Sequence, residues 1–173
     1  MNKAMAETVA KGAGVAKAAG ARLKGLFGVF NTLASQHAEA KSLLKRLANT
    51  DDRETQVELW PTLRAELISH ERAELDEVYP VLERHGMLHE FVQRHRNGAE
   101  QLEAAIGEID AASYATPEWT TRMRALETLV VAHAKEEEEQ FFPRAEHVLE
   151  SEIIKDLDQR YRAAQASVKE EVP

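Results

Sequence analysis

His70 and Glu74 stand four residues apart, and His133 and Glu137 repeat that spacing. On a helix, residues four apart share a face with their Cβ atoms roughly 5–6 Å from one another, so each pair can aim an imidazole and a carboxylate at one point. The neighbouring apolar residues put both pairs on a stripe that a helix would bury: Leu63, Leu67 and Val78 flank the first, and Leu126, Val130 and Phe141 the second. A carboxylate among leucines is costly unless a cation or a donor compensates it. Two such acids pointing inward call for cation chemistry.

The two pairs belong to a longer repeat. A shift of 63 residues carries Leu63, Leu67, His70, Glu74, Val78, Tyr79 and Pro80 onto Leu126, Val130, His133, Glu137, Phe141, Phe142 and Pro143 without a gap, so the shared string is H-x-x-x-E-x-x-x-x-(Y/F)-P. Each copy follows a helical stripe bearing one histidine, His37 before the first and His95 before the second. In an up-down-up-down four-helix bundle all four helices face the axis, so four imidazoles and two carboxylates would meet at one depth. That donor set suits iron, with manganese and zinc fitting the same ligands, and a carboxylate can bridge two metals, the natural role of Glu74 and Glu137. Cysteine is absent, which excludes disulfides, thiolate zinc sites and cysteine-held iron–sulfur clusters. No glutamate stands three residues before any histidine, as ferritin-like carboxylate bundles require, and the zincin pattern of two histidines on one helix turn is missing.

The elements that must position these residues are helical. Pro and Gly are scarce in the 173 residues, while Ala, Glu, Leu and Arg abound, so the expected fold is all-α. The spacing predicts a first helix from Leu26 to about Asn49 and a second starting between Asp52 and Pro61, kinked at Pro80 and ended by His85-Gly86. A third is expected from Met87 to Ser113, and a fourth from the Thr116-Pro117-Glu118 cap to about Glu150. The expected organisation is a basic Ala/Gly/Lys-rich leader over residues 1–25, a bundle over 26–150, and a short C-terminal helix and tail over 151–173. Gly12, Gly14, Gly20 and Gly25 make the leader read as mobile or loosely helical. It holds a charge of +4 against −12 for the rest, and the total of −8 argues against nucleic acid as a partner. No apolar run is long enough for a membrane span and no secretory signal is visible, so a cytoplasmic location is expected.

Taken together, His37, the string from His70 to Pro80, His95 and the string from His133 to Pro143 resemble the hemerythrin-like HHE cation-binding domain over about Leu26 to Glu150. The resemblance implies two iron ions with an oxo or hydroxo bridge, held by His37, His70, His95 and His133 and bridged by Glu74 and Glu137. Hemerythrins usually carry a further histidine four residues before the third-helix ligand, and Phe91 stands there in this chain. Glu71 is one replacement, since some hemerythrin-like iron sensors read His-Glu-x-x-Glu, although its side chain should point about 100° away from that of His70. A water or small ligand is another; His89, off the stripe, is a poorer one. Glu138 rivals Glu137, because some hemerythrins place the carboxylate five residues after the histidine.

A single histidine on an apolar stripe is more often a satisfied core residue than a ligand, and it is the joint pattern that carries the metal reading. Tyr79, Phe141 and Phe142 read as core, Trp60 and Trp119 as packing anchors, and His85 and His147 as ordinary helix-end residues. The expected function is binding or sensing of dioxygen, nitric oxide, peroxide or iron, because mostly neutral imidazoles with few carboxylates stabilise oxidised iron less and ease release. The alternatives are a di-iron enzyme, disproportionating peroxide or repairing iron–sulfur centres, and a metal-free structural bundle.

Overall fold

The computed structural model describes residues 3–20 and 25–172 in full and the backbone of residues 21–23. Arg22 and Lys24, two of the leader's basic residues, lie outside the described side chains. Every regular element among the described residues is helical: α1 (Lys3–Leu23), α2 (Gly28–Leu47), α3 (Arg53–Ala73), α4 (Tyr79–Glu83), α5 (His89–Asp110), α6 (Pro117–Glu136), α7 (Phe142–Val148) and α8 (Ser151–Glu171). Asp52 caps α3 by accepting from the Thr55 N–H at 2.8 Å, and Thr116 caps α6 by accepting from the Trp119 N–H at 3.2 Å. Pro61 lies inside α3 rather than in its first turn. It and Val57, the residue whose carbonyl it cannot serve, are both exposed, so water can take the vacant acceptor.

Ahead of Pro80, where a kink is expected, the helix widens into a π turn. Residues Glu74–Val78 and Glu137–Phe141 are π-helical, and each such turn begins at a carboxylate of the repeat. The Tyr79 N–H donates to the Glu74 carbonyl and the Phe142 N–H to the Glu137 carbonyl, both spanning five residues. Pro80 and Pro143, lacking an N–H, follow directly. The wider turn accommodates a ring that would collide with the preceding turn of an α-helix.

Helix α2 packs on α3, α3 on α5, α5 on α6 and α6 on α2, closing a ring of four. Two apolar clusters fill it. One contains Phe30, Leu33, Val78, Tyr79, Val92, Phe141 and Phe142, the other Leu44, Leu63, Leu67, Leu102, Leu126 and Val130. Along α2 and α5 the chain runs from the first cluster to the second, and along α3 and α6 it returns. His37, His70, His95 and His133 each fall where their helix passes between the clusters, so a polar layer divides the core.

Both ends of the chain differ from expectation. The leader forms a helix of 21 residues that lies along α2. Ala6 and Ala10 are buried against α2, and a Cβ on Gly14 would overlap the Glu39 carboxylate, so the small residues that weaken the helix in isolation permit its close approach. The Asn31 side chain donates to the Ala18 carbonyl at 2.7 Å and pins this contact. At the other end α8 is 21 residues long rather than short, and packs across α2 and α3 through Ile154, Leu157, Tyr161 and Gln165. These four recur every three or four residues, an apolar spacing diluted in the sequence by many charges.

Candidate metal centre

Six residues singled out by spacing converge in the polar layer. His37 Nε2 lies 3.2 Å from His70 Nε2 and 3.2 Å from Glu137 Oε2. His70 Nε2 is 3.4 Å from Glu74 Oε2. Across the layer, His133 Nε2 and His95 Nδ1 are each 3.6 Å from Glu137 Oε1, and the two rings stand 4.6 Å apart. Gly98 makes room for this, since a Cβ there would lie 3.2 Å from His133 Nδ1. Potential ligand atoms fall into three groups, each within 4.8 Å: His37, His70 and Glu137; His95, His133 and Glu137; and His70, Glu71 and Glu74. Glu137 thus belongs to a group on each side, one oxygen toward each histidine pair.

The outer hydrogen bonds fix which imidazole nitrogens face inward. Glu138 accepts from His37 Nδ1 at 3.2 Å and from Lys41 at 3.1 Å, and pairs with Lys17 of α1. Burial raises the Glu138 pKa, but His37 and Lys17 outweigh it and hold the carboxyl at about 2, so it is ionised and can only accept. The Gln36 amide donates to Gln165 at 2.9 Å, which leaves its carbonyl oxygen to accept from Tyr161 at 2.6 Å and from His70 Nδ1 at 2.9 Å. His70, with Nδ1 on the Gln36 oxygen, turns its Nε2 lone pair inward, whereas burial pulls the His37 pKa down but Glu137 and Glu138 outweigh it and raise it, favouring a ring protonated toward both acids.

Two ring nitrogens 3.2 Å apart need a proton or a metal cation between them. The same need recurs at the rest of the layer, where buried His95 Nδ1 and Nε2, His133 Nε2, Glu71 Oε2, Glu74 Oε1 and Glu137 Oε2 lack hydrogen-bond partners. Unpaired buried polar atoms cost roughly 1–3 kcal/mol each, more when charged. Such a collection is tolerable around cations and expensive without them. Nitrogens each about 2.1 Å from one ion and at right angles to each other would lie about 3 Å apart, close to the spacing seen here. The residues present fit a metal.

Charges inside the layer are strongly displaced. Burial, with Glu137 and Glu71 nearby, pushes the Glu74 carboxyl well above the usual range, and burial likewise raises Glu71. Burial and the neighbouring His37 pull His70 well down. His133 is also drawn down by burial, but Glu71 and Glu137 outweigh this and push it up to about 9. Glu137, despite burial, is held well below the carboxylate range by His133, His37 and His95. Tyr79 stands beneath the carboxylates, its hydroxyl 3.1 Å from Glu137 Oε1 and 3.4 Å from Glu74 Oε2.

Residues 28–145 match the hemerythrin HHE cation binding domain. The chain belongs to the hemerythrin HHE family. No curated protein and no solved structure matches it. Helices α1 and α8 lie outside the matched residues, yet Lys17 and Tyr161 reach the HHE layer through Glu138 and Gln36. Glu71, buried with an oxygen 3.5 Å from His133 Nε2, stands with the layer although it lies a third of a turn from His70 on its own helix. Phe91, where the family's further histidine is expected, instead stacks on Phe141 with ring centres 5.7 Å apart. Glu138 faces the outer edge of His37 and Glu137 the interior. Spacing from the helix pattern missed Gln36, Tyr161 and Lys17, since none repeats between the two halves.

Proposed function

We propose that this HHE-family chain is a non-haem di-iron protein. His37 and His70 would serve one iron and His95 and His133 the other, with Glu137 and Glu74 as bridging carboxylates and Glu71 in the place left by Phe91. The observation that carries the reading is the sharing of Glu137 between two histidine pairs, each within reach of a different carboxylate oxygen. Bound iron would supply a redox-active Lewis acid to a small molecule. The chain's own residues orient the imidazoles through Glu138 and Gln36, hold a phenolic proton at Tyr79 and exclude bulk water with the two apolar clusters. The favoured role is binding or sensing of dioxygen, nitric oxide, peroxide or iron itself.

Glu71 favours a second reading. A third carboxylate adds negative charge and stabilises oxidised iron more than two would, which shifts the balance from reversible binding toward turnover, as in peroxide disproportionation. Metal analysis after iron-supplemented expression tests the first claim, with about two irons per chain expected and trace iron contradicting it. Steady-state peroxide consumption by the same preparation separates the roles, because a binder gives only a stoichiometric spectral change.

A further inference from the structure

A cavity of about 280 Å³ runs between α1, α2, α3, α6 and α8 and ends on His37, His70, Glu71 and His133. A water occupies about 30 Å³ of liquid, so the space admits an ion with part of its hydration shell. We propose that this cavity is the route by which a hydrated divalent cation reaches the centre, with Glu39 as a carboxylate way-station. The inference rests on the di-metal reading and adds to it a direction of approach.

Acids line the whole length of the cavity. Glu7, Glu39 and Glu66 line the outer part of the cavity with Lys11, and the Glu71 carboxylate, its Oε2 unpartnered and the residue only 5% exposed, lines the inner part. Lys169 pairs with Glu66 at 2.6 Å and Lys3 lies 3.9 Å from Glu7, so the mouth holds three acids against three lysines, and among the described residues only Glu39 of the three has no lysine at ion-pair distance. Glu39 stands on α2 with its carboxylate against Gly14.

The opposite side of the layer is shut to cations on two counts. His95 stacks on Phe141 at 5.2 Å and Phe141 on Phe91 at 5.7 Å, leaving no polar path between the rings. The guanidinium groups of Arg94, which is paired with Glu136 at 2.8 Å, and Arg144 lie 4.6 and 4.9 Å from the Phe91 ring centre and cover the outer face of that stack. An open cavity on one side and capped rings on the other leave one way in.

The test uses the full-length apo protein and ferrous iron under anaerobic conditions, with uptake stopped by chelator at timed intervals and release followed into excess chelator. Ala40→Leu, which narrows the cavity at a position that is not itself a proposed ligand, should slow uptake and release together by about tenfold and leave the final iron content unchanged. Thr62→Leu, from the wall on α3, should do the same and guards against a folding fault in the first variant. Glu39→Gln should slow uptake most at low salt, whereas Glu118→Gln at the far end of α6 should not. Wild-type rates in both narrowed variants would overturn the route while leaving the di-metal reading intact. A wild-type chain that takes up no iron at equilibrium would overturn both.

Discussion

His37 and His70 face each other Nε2 to Nε2 across 3.2 Å, with the far nitrogen of each ring engaged by an acceptor, Glu138 for one and Gln36 for the other. A cation entering between the rings takes the place of the inward proton that Glu137 and Glu138 favour on His37, and both outer acceptors stay engaged. The pair is therefore preset to receive a cation, and the electrostatics of the entire layer follow from whether it has one.

Metal uptake should release protons near pH 7. In the metal-free protein His133, held up at about 9 by Glu71 and Glu137, carries a proton at that pH and must lose it to bind. Calorimetry in two buffers of different ionisation enthalpy reads the number released, with at least one per chain expected. A buffer-independent heat would contradict the assignment.

His133→Ala should lose iron to a chelator far more readily than His85→Ala, whose ring lies outside the layer. Loss of a ligand or its support typically costs about 10–100-fold in affinity. Equal retention in the two variants would mean that His133 is not a ligand.

Tyr161→Phe removes the hydroxyl that donates to Gln36, and with it part of the support for His70 Nδ1. Iron content at saturation should be unchanged, and affinity about tenfold lower, because the ring is freed rather than removed. The near-ultraviolet absorption of the iron-loaded protein should shift with it. A purely structural role would lower thermal stability and leave the spectrum alone.

Removing metal should lower the melting temperature. A ligand at a hundred times its Kd stabilises the native state by about 2.7 kcal/mol, which in a chain of this size corresponds to a shift of roughly 5–10 °C. Helical ellipticity followed on heating, with and without chelator, measures it. Coincident curves would indicate that the layer tolerates its unpaired atoms by other means.

Glu138 gives the metal-free protein an acid limit. Its pKa, about 2 in the fold, is depressed relative to the unfolded chain, so its contribution is fully present above the ordinary carboxylate range and disappears as pH falls toward about 2. Glu138→Gln should flatten that part of the stability profile, measured by urea unfolding between pH 5 and about 2.5.

The helical class and the convergence of six ligand candidates were legible because burial imposes a 3.6-residue period and the two halves repeat it. Glu71 was harder: on its own helix it sits off the His70 face, and only the approach of His133 from α6 brings it to the layer. The widened turns at Glu74 and Glu137 leave no periodic mark beyond Pro80 and Pro143, which on local grounds indicate a kink. The leader's glycines spoke for looseness because the contact of Gly14 with Glu39 across a tertiary interface is invisible in one dimension. Tyr161 and Gln165 were masked by the charge of α8.

Five residues of ordinary α-helix turn through about 500°, which would leave Tyr79 some 140° around the axis from Glu74. The roomier π coil undoes most of that rotation, and the phenol comes back beneath the acid of its own helix at 3.4 Å. One residue of surplus winding thus lets a single rod aim both an imidazole–carboxylate pair and its hydroxyl floor at the same spot. An unbroken α-helix through the same residues would swing that floor out of the chamber.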